Sequence, residues 1–371
     1  MGNWRNGELG NFITLKRGFD LPQQKREDGQ VPIFSSSGVT GTHSTAMVNA
    51  PGVITGRYGT IGEVFYAAED FWPLNTTLFV EDFHGNDAKF IYYFLKTLEW
   101  SKFTSASAVP GINRNTVHKE TVSLPDIETQ RRIASTLSML DEKIKTNTEI
   151  NDNLEQQAHS YFQELFVDNA SPEWTTGTIS DLGTVVGGST PSKAKPEYYT
   201  ESGIAWITPK DLSINKSKFV SHGENDITEL GLKNSSAAIM PEGTVLFSSR
   251  APIGYIAIAA GEVTTNQGFK SVVPKPEIGT PFVYFFLKNT LPVIEGMASG
   301  STFKEVSGST MKNVPAVIPD AETLAKFSDF CATIFAQQRI LEEQNQSLAT
   351  LRDNLLPKLM SGEIDVSTVQ L

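Results

Sequence analysis

The chain has 371 residues, 39% of them apolar and 20% charged, which suits a folded protein of two domains and excludes a disordered one. Its single cysteine, Cys331, excludes an intramolecular disulfide, and no apolar run reaches the roughly 18 residues that suggest a membrane span. The opening MGNWRNGELGNF lacks the basic and apolar regions of a secretory signal, so a reducing cytoplasm is the expected location, and the net charge of −11, taken alone, argues against a simple nucleic-acid binder.

From the start to about residue 124 the chain is rich in Gly, Ser, Thr and Pro, with short β-branched and aromatic runs such as GVITGRYG, EVFYAA and TTLFVE. Runs of this length between turn residues predict strands, and AKFIYYFLKTLEW predicts a short buried helix packed on them. The phrase LPDIETQRRI then opens a long helix. Asp126 is placed as its N-cap, Glu128 meets the positive end of the dipole, and Pro125 blocks extension backwards. Ile133, Leu137, Leu140, Ile144, Asn147, Asn151, Leu154, Ala158, Tyr161 and Leu165 step by four and three, the spacing of a coiled-coil seam.

After residue 168 the same grammar restarts. TVLFSSR and YIAIAA predict strands, TPFVYFFLKNTL a buried helix, and IPDAETLAKF a second helix start with Pro319, Asp320 and Glu322 in the matching places. The second seam runs through Phe327, Phe330, Ile334, Gln337, Leu341, Gln344, Leu348, Leu351 and Leu355. Pro357 is expected to end or kink this helix, leaving SGEIDV as an extended tail.

The matches keep their order: NWRNGELGNF with EWTTGTISDLG, VITGRYGTIG with VLFSSRAPIG, FIYYFLK with FVYFFLK, and the two helix-opening phrases. The chain is therefore a tandem duplication. The expected fold class is α+β, with two similar globular domains, each around a twisted, mostly antiparallel sheet, separated by two long antiparallel helices that form a coiled coil with pseudo-two-fold symmetry. The expected divisions are 1–124, 125–168, 169–317 and 318–371. A helix of roughly forty residues spans about 60 Å, and the amides at Asn147, Asn151, Gln337 and Gln344 are placed to fix register between the two helices. The acidity belongs to these helices. Residues 126–168 carry 9 acidic and 4 basic side chains and residues 320–371 carry 8 and 4, so the remainder is near neutral and free to present basic patches.

Two similar but non-identical domains at fixed separation suit duplex DNA, whose grooves recur every ~34 Å. At this point the chain resembles the specificity subunits of type I restriction–modification systems over essentially its whole length. LPDIETQRRIASTLSMLDEKI…NDNLEQQAHSYFQELF resembles their central conserved region, LATLRDNLLPKLMSGEIDV their C-terminal conserved region, and VVGGSTPSKAKPEYYTESGIAWITPKDL the opening of many of their target-recognition domains. Departures are Glu-Thr-Gln where Glu-Gln is usual, and a looser IPDAETLAKF in the second copy. The resemblance implies a subunit without chemistry of its own. It would select a bipartite DNA target through two target-recognition domains and dock two modification (methyltransferase) subunits that use S-adenosylmethionine. Through them it would engage restriction subunits that use ATP and Mg.

The residues agree with that implication. No G-x-x-x-x-G-K-[ST] loop and no G-x-G-x-x-G after a strand is present, VVGGSTPS lacks the lysine of the former, and the five histidines show no metal-ligand spacing. Ser35 and Ser37 read as turn residues, not as partners of a catalytic histidine. Phosphates and base edges are met by Lys, Arg and small polar groups. These select Lys16, Arg17, Ser36, His43, Arg57, Tyr58, Asn113, Arg114 and Asn115 in the first domain. In the second they select Ser192, Lys193, Lys195, Lys210, Arg250, Gln267, Lys270, Ser301 and Lys304. Arg57 and Arg250 occupy equivalent places, and pairing with carboxylates is the alternative reading for both. The acidic face Glu142, Glu149, Asp152 and Glu155, with Leu359 and Met360 in the tail, is expected to bind the protein partners. Competing readings are a coiled-coil scaffold whose domains bind a non-DNA ligand, a hydrolase or transferase with an unrecognised site, and service in a related single-complex restriction–methylation enzyme.

Overall fold

The structure is a computed structural model that describes residues 4–104, 110–300 and 304–369. It divides into two compact units: Met1–Lys145 with Gln346–Leu371, and Thr146–Asn345. Each long helix is therefore shared between the units, and the first unit is built from two separated stretches of the sequence.

In the first unit, Thr14–Arg17, Thr77–Asp82, Gly52–Gly56 and Val64–Ala67 form a four-stranded antiparallel sheet in that order. A smaller sheet orders Gly38–His43, Val31–Ser35 and Trp72–Pro73. The helix Ala88–Lys96 begins at Asp87, whose carboxylate accepts the Phe90 N–H at 2.8 Å, and buries Phe90, Ile91, Tyr93, Phe94 and Leu95. That core also takes in Ile133, Ala134 and Leu137 of the first long helix (Ile127–Gln163) and Leu359 and Met360 of the second (Ala321–Ser361). Gln130 is fully buried and ties the first helix to the domain: its amide donates to Asn86 and to the Pro125 carbonyl and accepts from the Asp87 N–H. Asp141 receives Arg352 at 2.7 Å and the Tyr93 hydroxyl.

In the second unit a five-stranded sheet runs Gly183–Gly187, Lys270–Pro274, Val245–Ser249, Ile253–Ala259 and Phe219–Val220, antiparallel except for the last pair. The helix Thr280–Met297 packs Phe282 and Phe285 against Ala158 and Phe162 of the first long helix and Phe327 and Cys331 of the second. The duplication is visible in register: Arg5–Glu8 pairs antiparallel with Thr121–Leu124, and Thr175–Thr178 with Pro315–Ile318. In both units this ribbon delivers the chain to a helix start. Asp126 accepts the Thr129 N–H at 3.0 Å and Asp320 the Thr323 N–H at 2.8 Å, the expected caps.

The helices run antiparallel within each unit. In the second unit fully buried Asn147 donates to Asn345 at 2.9 Å and to Gln344 at 3.5 Å, while Gln338 donates to the Asn151 carbonyl at 3.1 Å. The expected amide layer exists, with its register corrected: Gln338 is buried where Gln337 is exposed, and half-buried Asn345 is the nearer partner of Asn147 while Gln344 is exposed. Leu324, Cys331 and Phe335 are buried, whereas Phe330 and Leu351 are 41% and 42% exposed. The seam drifts because a helix of 3.6 residues per turn packs here against a domain as well as against its partner helix. Pro357 is a second correction. The helix passes through it to Ser361, and the tail turns at Gly362 and seats Val366 in the first unit's core instead of staying extended.

An ionic cluster pins the second unit's helices to its sheet. Buried Lys218 and half-exposed Lys288 both pair with Glu155, while both Glu342 carboxylate oxygens accept backbone N–H groups, from Lys218 at 2.7 Å and Phe219 at 3.0 Å. Burial pushes the Lys218 ammonium down, against the pull of Glu155. Burial pushes the Glu155 carboxyl up, but the two ammoniums outweigh it and hold it below the usual range. Glu155→Ala strands a buried ammonium and is expected to destabilise the chain by about 3–5 kcal/mol, whereas Glu155→Leu with Lys218→Met recovers most of that loss. Denaturant unfolding of the three proteins is the check, and a single variant indistinguishable from the parent would refute it.

Candidate nucleic-acid interface

The first unit gathers four of its basic residues at one end of the four-stranded sheet. Lys16 and Arg17 close the strand Thr14–Arg17, Arg57 and Tyr58 follow Gly52–Gly56, and Asn113, Arg114 and Asn115 start a short helix in which Asn113 caps the Asn115 N–H. Together they line a cleft of about 580 Å3 that has no carboxylate in its wall. Arg57 lies 4.5 Å over the Tyr58 ring, its Nε donates to the Ile112 carbonyl at 3.4 Å, and no acidic group pairs with it among the described residues. The Tyr58 ring rests on Gly111, where a Cβ would stand 2.2 Å from a ring carbon, so only glycine admits this packing. Arg17 is exposed and also without an acidic partner among the described residues; Lys16 pairs with Glu81. Ser36 sits in a hairpin turn against Gly56 and Gly59, beside the cleft.

The second unit has a larger cleft, about 730 Å3, lined by Lys193, Lys210, Arg250 and Gln267 among the expected residues. Its wall also holds Tyr199, Trp206, Asp211, Glu224, Asn225 and Asn266, which the sequence reading did not select. Only Asn266 had a local signal, as the neighbour of Gln267 in TTNQGF. The others come together from separate segments. Lys210 pairs with Glu224 at 2.6 Å and Arg250 with Glu305 at 3.4 Å. The equivalent arginines thus divide between the two readings: Arg250 has a carboxylate and Arg57 has none.

Other expected residues stand apart from the clefts. Ser192 and Lys195 are exposed in the turn beside Lys193, with Lys195 3.7 Å from Glu197, and Lys304 is exposed. Lys270 is mostly buried between Glu305 and Ser249. Ser301 lies outside the described residues. His43 is a correction. It is 5% exposed, its Nδ1 accepts the Glu27 N–H at 3.0 Å, and its ring packs edge-on to Trp72, so it braces the sheet and offers nothing to a ligand. On the helices Glu142, Glu149 and Asp152 are exposed as expected. Glu155, Leu359 and Met360 are corrections, because the first is consumed by Lys218 and Lys288 and the other two lie in the first unit's core. Exposed Met139, Ile150, Ile340 and Leu351 went unselected, since apolar residues on a helix are ordinarily assigned to its seam.

His118 supports the first cleft from behind. Its Nε2 accepts the Leu15 N–H at 2.9 Å, and burial, then Arg114 and His84, push its pKa below the ordinary value. Protonation would set one N–H against another. The folded state therefore binds fewer protons than the unfolded chain, so this contribution is complete above about pH 6.5 and is lost as pH falls below it. Thermal unfolding from pH 8 to 5 should show this loss, and His118→Gln, which keeps an acceptor and cannot titrate, should flatten it. Parallel profiles would count against the assignment.

A family model described as the type I restriction modification DNA specificity domain matches residues 1–156 and again residues 172–351. The type I restriction enzyme MjaIX specificity subunit of Methanocaldococcus jannaschii is 39% identical over 191 residues, which cover 49% of this chain and 44% of that one. The putative type I specificity subunit S.MpnORF638P of Mycoplasma pneumoniae is 31% identical over 378 residues, covering 96% of each chain. The crystal structure of a type I restriction–modification system S subunit from M. genitalium has the same fold, with a TM-score of 0.66 at 18% identity over 97% of this chain and 96% of that one. With the family's domain matched twice, at the two copies that the duplication defines, the chain belongs to the type I restriction–modification DNA specificity family.

Proposed function

We propose that the chain selects a bipartite, asymmetric DNA sequence, one part through each cleft, and itself performs no chemistry. The observation that carries this reading is the first cleft: four basic side chains, an aromatic ring and two asparagines converge there with no carboxylate among them. Lys16 is paired with Glu81, and the three arginines have no acidic partner among the described residues, so the wall favours a polyanion. The second cleft adds lysines, an arginine and amides at the corresponding end of its own sheet. In this reading residues 1–124 and 169–317 are the two target-recognition domains, and the helices 125–168 and 318–371 hold them and carry the partners.

The helix surfaces are the proposed docking sites for two modification subunits, and through them for restriction subunits. S-adenosylmethionine, ATP and Mg belong to those partners. Support comes from exposed apolar side chains beside acidic ones on both helices, Ile150 near Glu149 and Asp152, and Ile340 near Glu343. Ile150→Glu with Ile340→Glu is expected to abolish co-elution with the modification subunits on a sizing column without lowering the chain's own thermal midpoint. Undiminished assembly would sink this assignment.

DNA affinity of the assembled complex should fall steeply and log-linearly with salt. Arg17→Ala should weaken binding alike on all sequences and make the salt slope shallower by about 1, as for a residue holding one phosphate. Fluorescence anisotropy across a salt series measures both. A complex whose affinity ignores salt, or that binds no DNA at all, would favour the scaffold reading.

A further inference from the structure

The duplication supplies an internal control on what each cleft can recognise. In the first unit Thr55 pairs with Leu78, and in the second Ser248 bridges Phe269. Counting two residues on from Thr55 and Ser248 gives Arg57 and Arg250. Counting back two and three from Leu78 and Phe269 gives Thr76 and Asn75 in one unit, Gln267 and Asn266 in the other. The arginine position is therefore shared, whereas Asn75 answers to Asn266 and Thr76, which has no amide, stands where the second unit has Gln267, so the two units use these corners in opposite ways.

In the first unit the guanidinium is available and the amide is not. Arg57 is held flat by Tyr58 and the Ile112 carbonyl, unpaired with any carboxylate among the described residues, while Asn75 is taken up by Asp20. In the second unit the guanidinium is taken and the amide is available. Arg250 is held by Glu305 both through its side chain and through a backbone bridge. Gln267 is exposed in the cleft wall with its Oε1 against the Thr190 hydroxyl, which sets the orientation of the amide, and no partner holds its Nε2 among the described residues. A carboxamide oxygen has two lone pairs, so Gln267 keeps one acceptor site and two N–H donors for a ligand.

A planar guanidinium fork matches the O6 and N7 acceptors of guanine, and an oriented carboxamide matches the N6 donor and N7 acceptor of adenine. We propose that the two clefts read chemically different purines: Arg57 specifies a guanine in one half of the DNA target, and Gln267, the amide that replaces it as Arg250 is withdrawn by Glu305, specifies an adenine in the other. This rests on the DNA-reading function proposed above and adds the base chemistry of each half.

The test is selection from a random duplex library by the full chain assembled with its modification subunits, followed by sequencing of bound DNA. Arg57→Gln is expected to relax one guanine position by roughly tenfold or more and leave the other half intact. Gln267→Leu is expected to relax one adenine position in the opposite half. Arg57→Lys, which keeps the charge and loses the fork, should relax the same guanine, and it serves if the glutamine variant fails to assemble. The inference is overturned if the relaxed bases are not guanine and adenine respectively, if both lie in one half, or if the variants weaken all sequences evenly, as phosphate contacts would. Should the parent complex enrich no sequence, the DNA-reading function itself falls, a result distinct from any of these.

Discussion

Neither half of this chain can close its own core. The first unit completes itself with Leu359 and Met360, more than two hundred residues beyond the strands they cover, and the second with Ala158 and Phe162, which precede its first strand. Fully burying apolar side chains of this size contributes roughly 1.5–3 kcal/mol each. Both sheets thus draw part of their stability from both helices. Helix pairing contributes to each domain's folding as well as forming a connection leaving it.

Around that constraint the polar interactions act as register pins. Asn147 meets Asn345 and Gln338 meets Asn151, and a slip of one helical turn would leave these buried amides unpaired. In each unit a carboxylate from the first helix is neutralised by different partners: Asp141 by Arg352 of the second helix, Glu155 by Lys218 and Lys288. Glu342 in turn holds the strand that follows Lys218. The stretch between Gly187 and Val245 that carries Lys218 also brings Trp206, Lys210 and Asp211 to the second cleft.

The clefts themselves show how a duplication can diverge around a shared strand end. The arginine follows that end in both units, yet one arginine stacks on a tyrosine free of acid and the other is neutralised by Glu305. A single acidic residue, far from Arg250 in the chain, decides between them. Divergence of this kind suits a family whose members share a frame and differ in what they recognise.

Local rules acting over a few residues were legible in the sequence by itself. Pro-Asp before Glu-Thr predicted both helix caps, the three–four spacing predicted the first seam from Ile133 to Leu165, and ordered matches predicted the duplication. All rest on short-range chemistry that tertiary structure had no reason to override. Residue type was enough to select Lys16, Arg17, Arg57, Tyr58 and Asn113–Asn115, but not to show that strand ends and the start of a short helix bring them to one cleft. Only the tertiary structure decided the rest. Whether His43, Glu155 or Met360 faced solvent depended on what distant segments covered them, and which of two equivalent arginines kept its charge free depended on where Glu305 came to lie. The helical period of 3.6 let Gln338 take the place expected of Gln337, since packing against a sheet shifts a seam that packing between two helices would have kept straight. Burial and charge pairing are set by neighbours far apart in sequence, and spacing along the chain does not encode them.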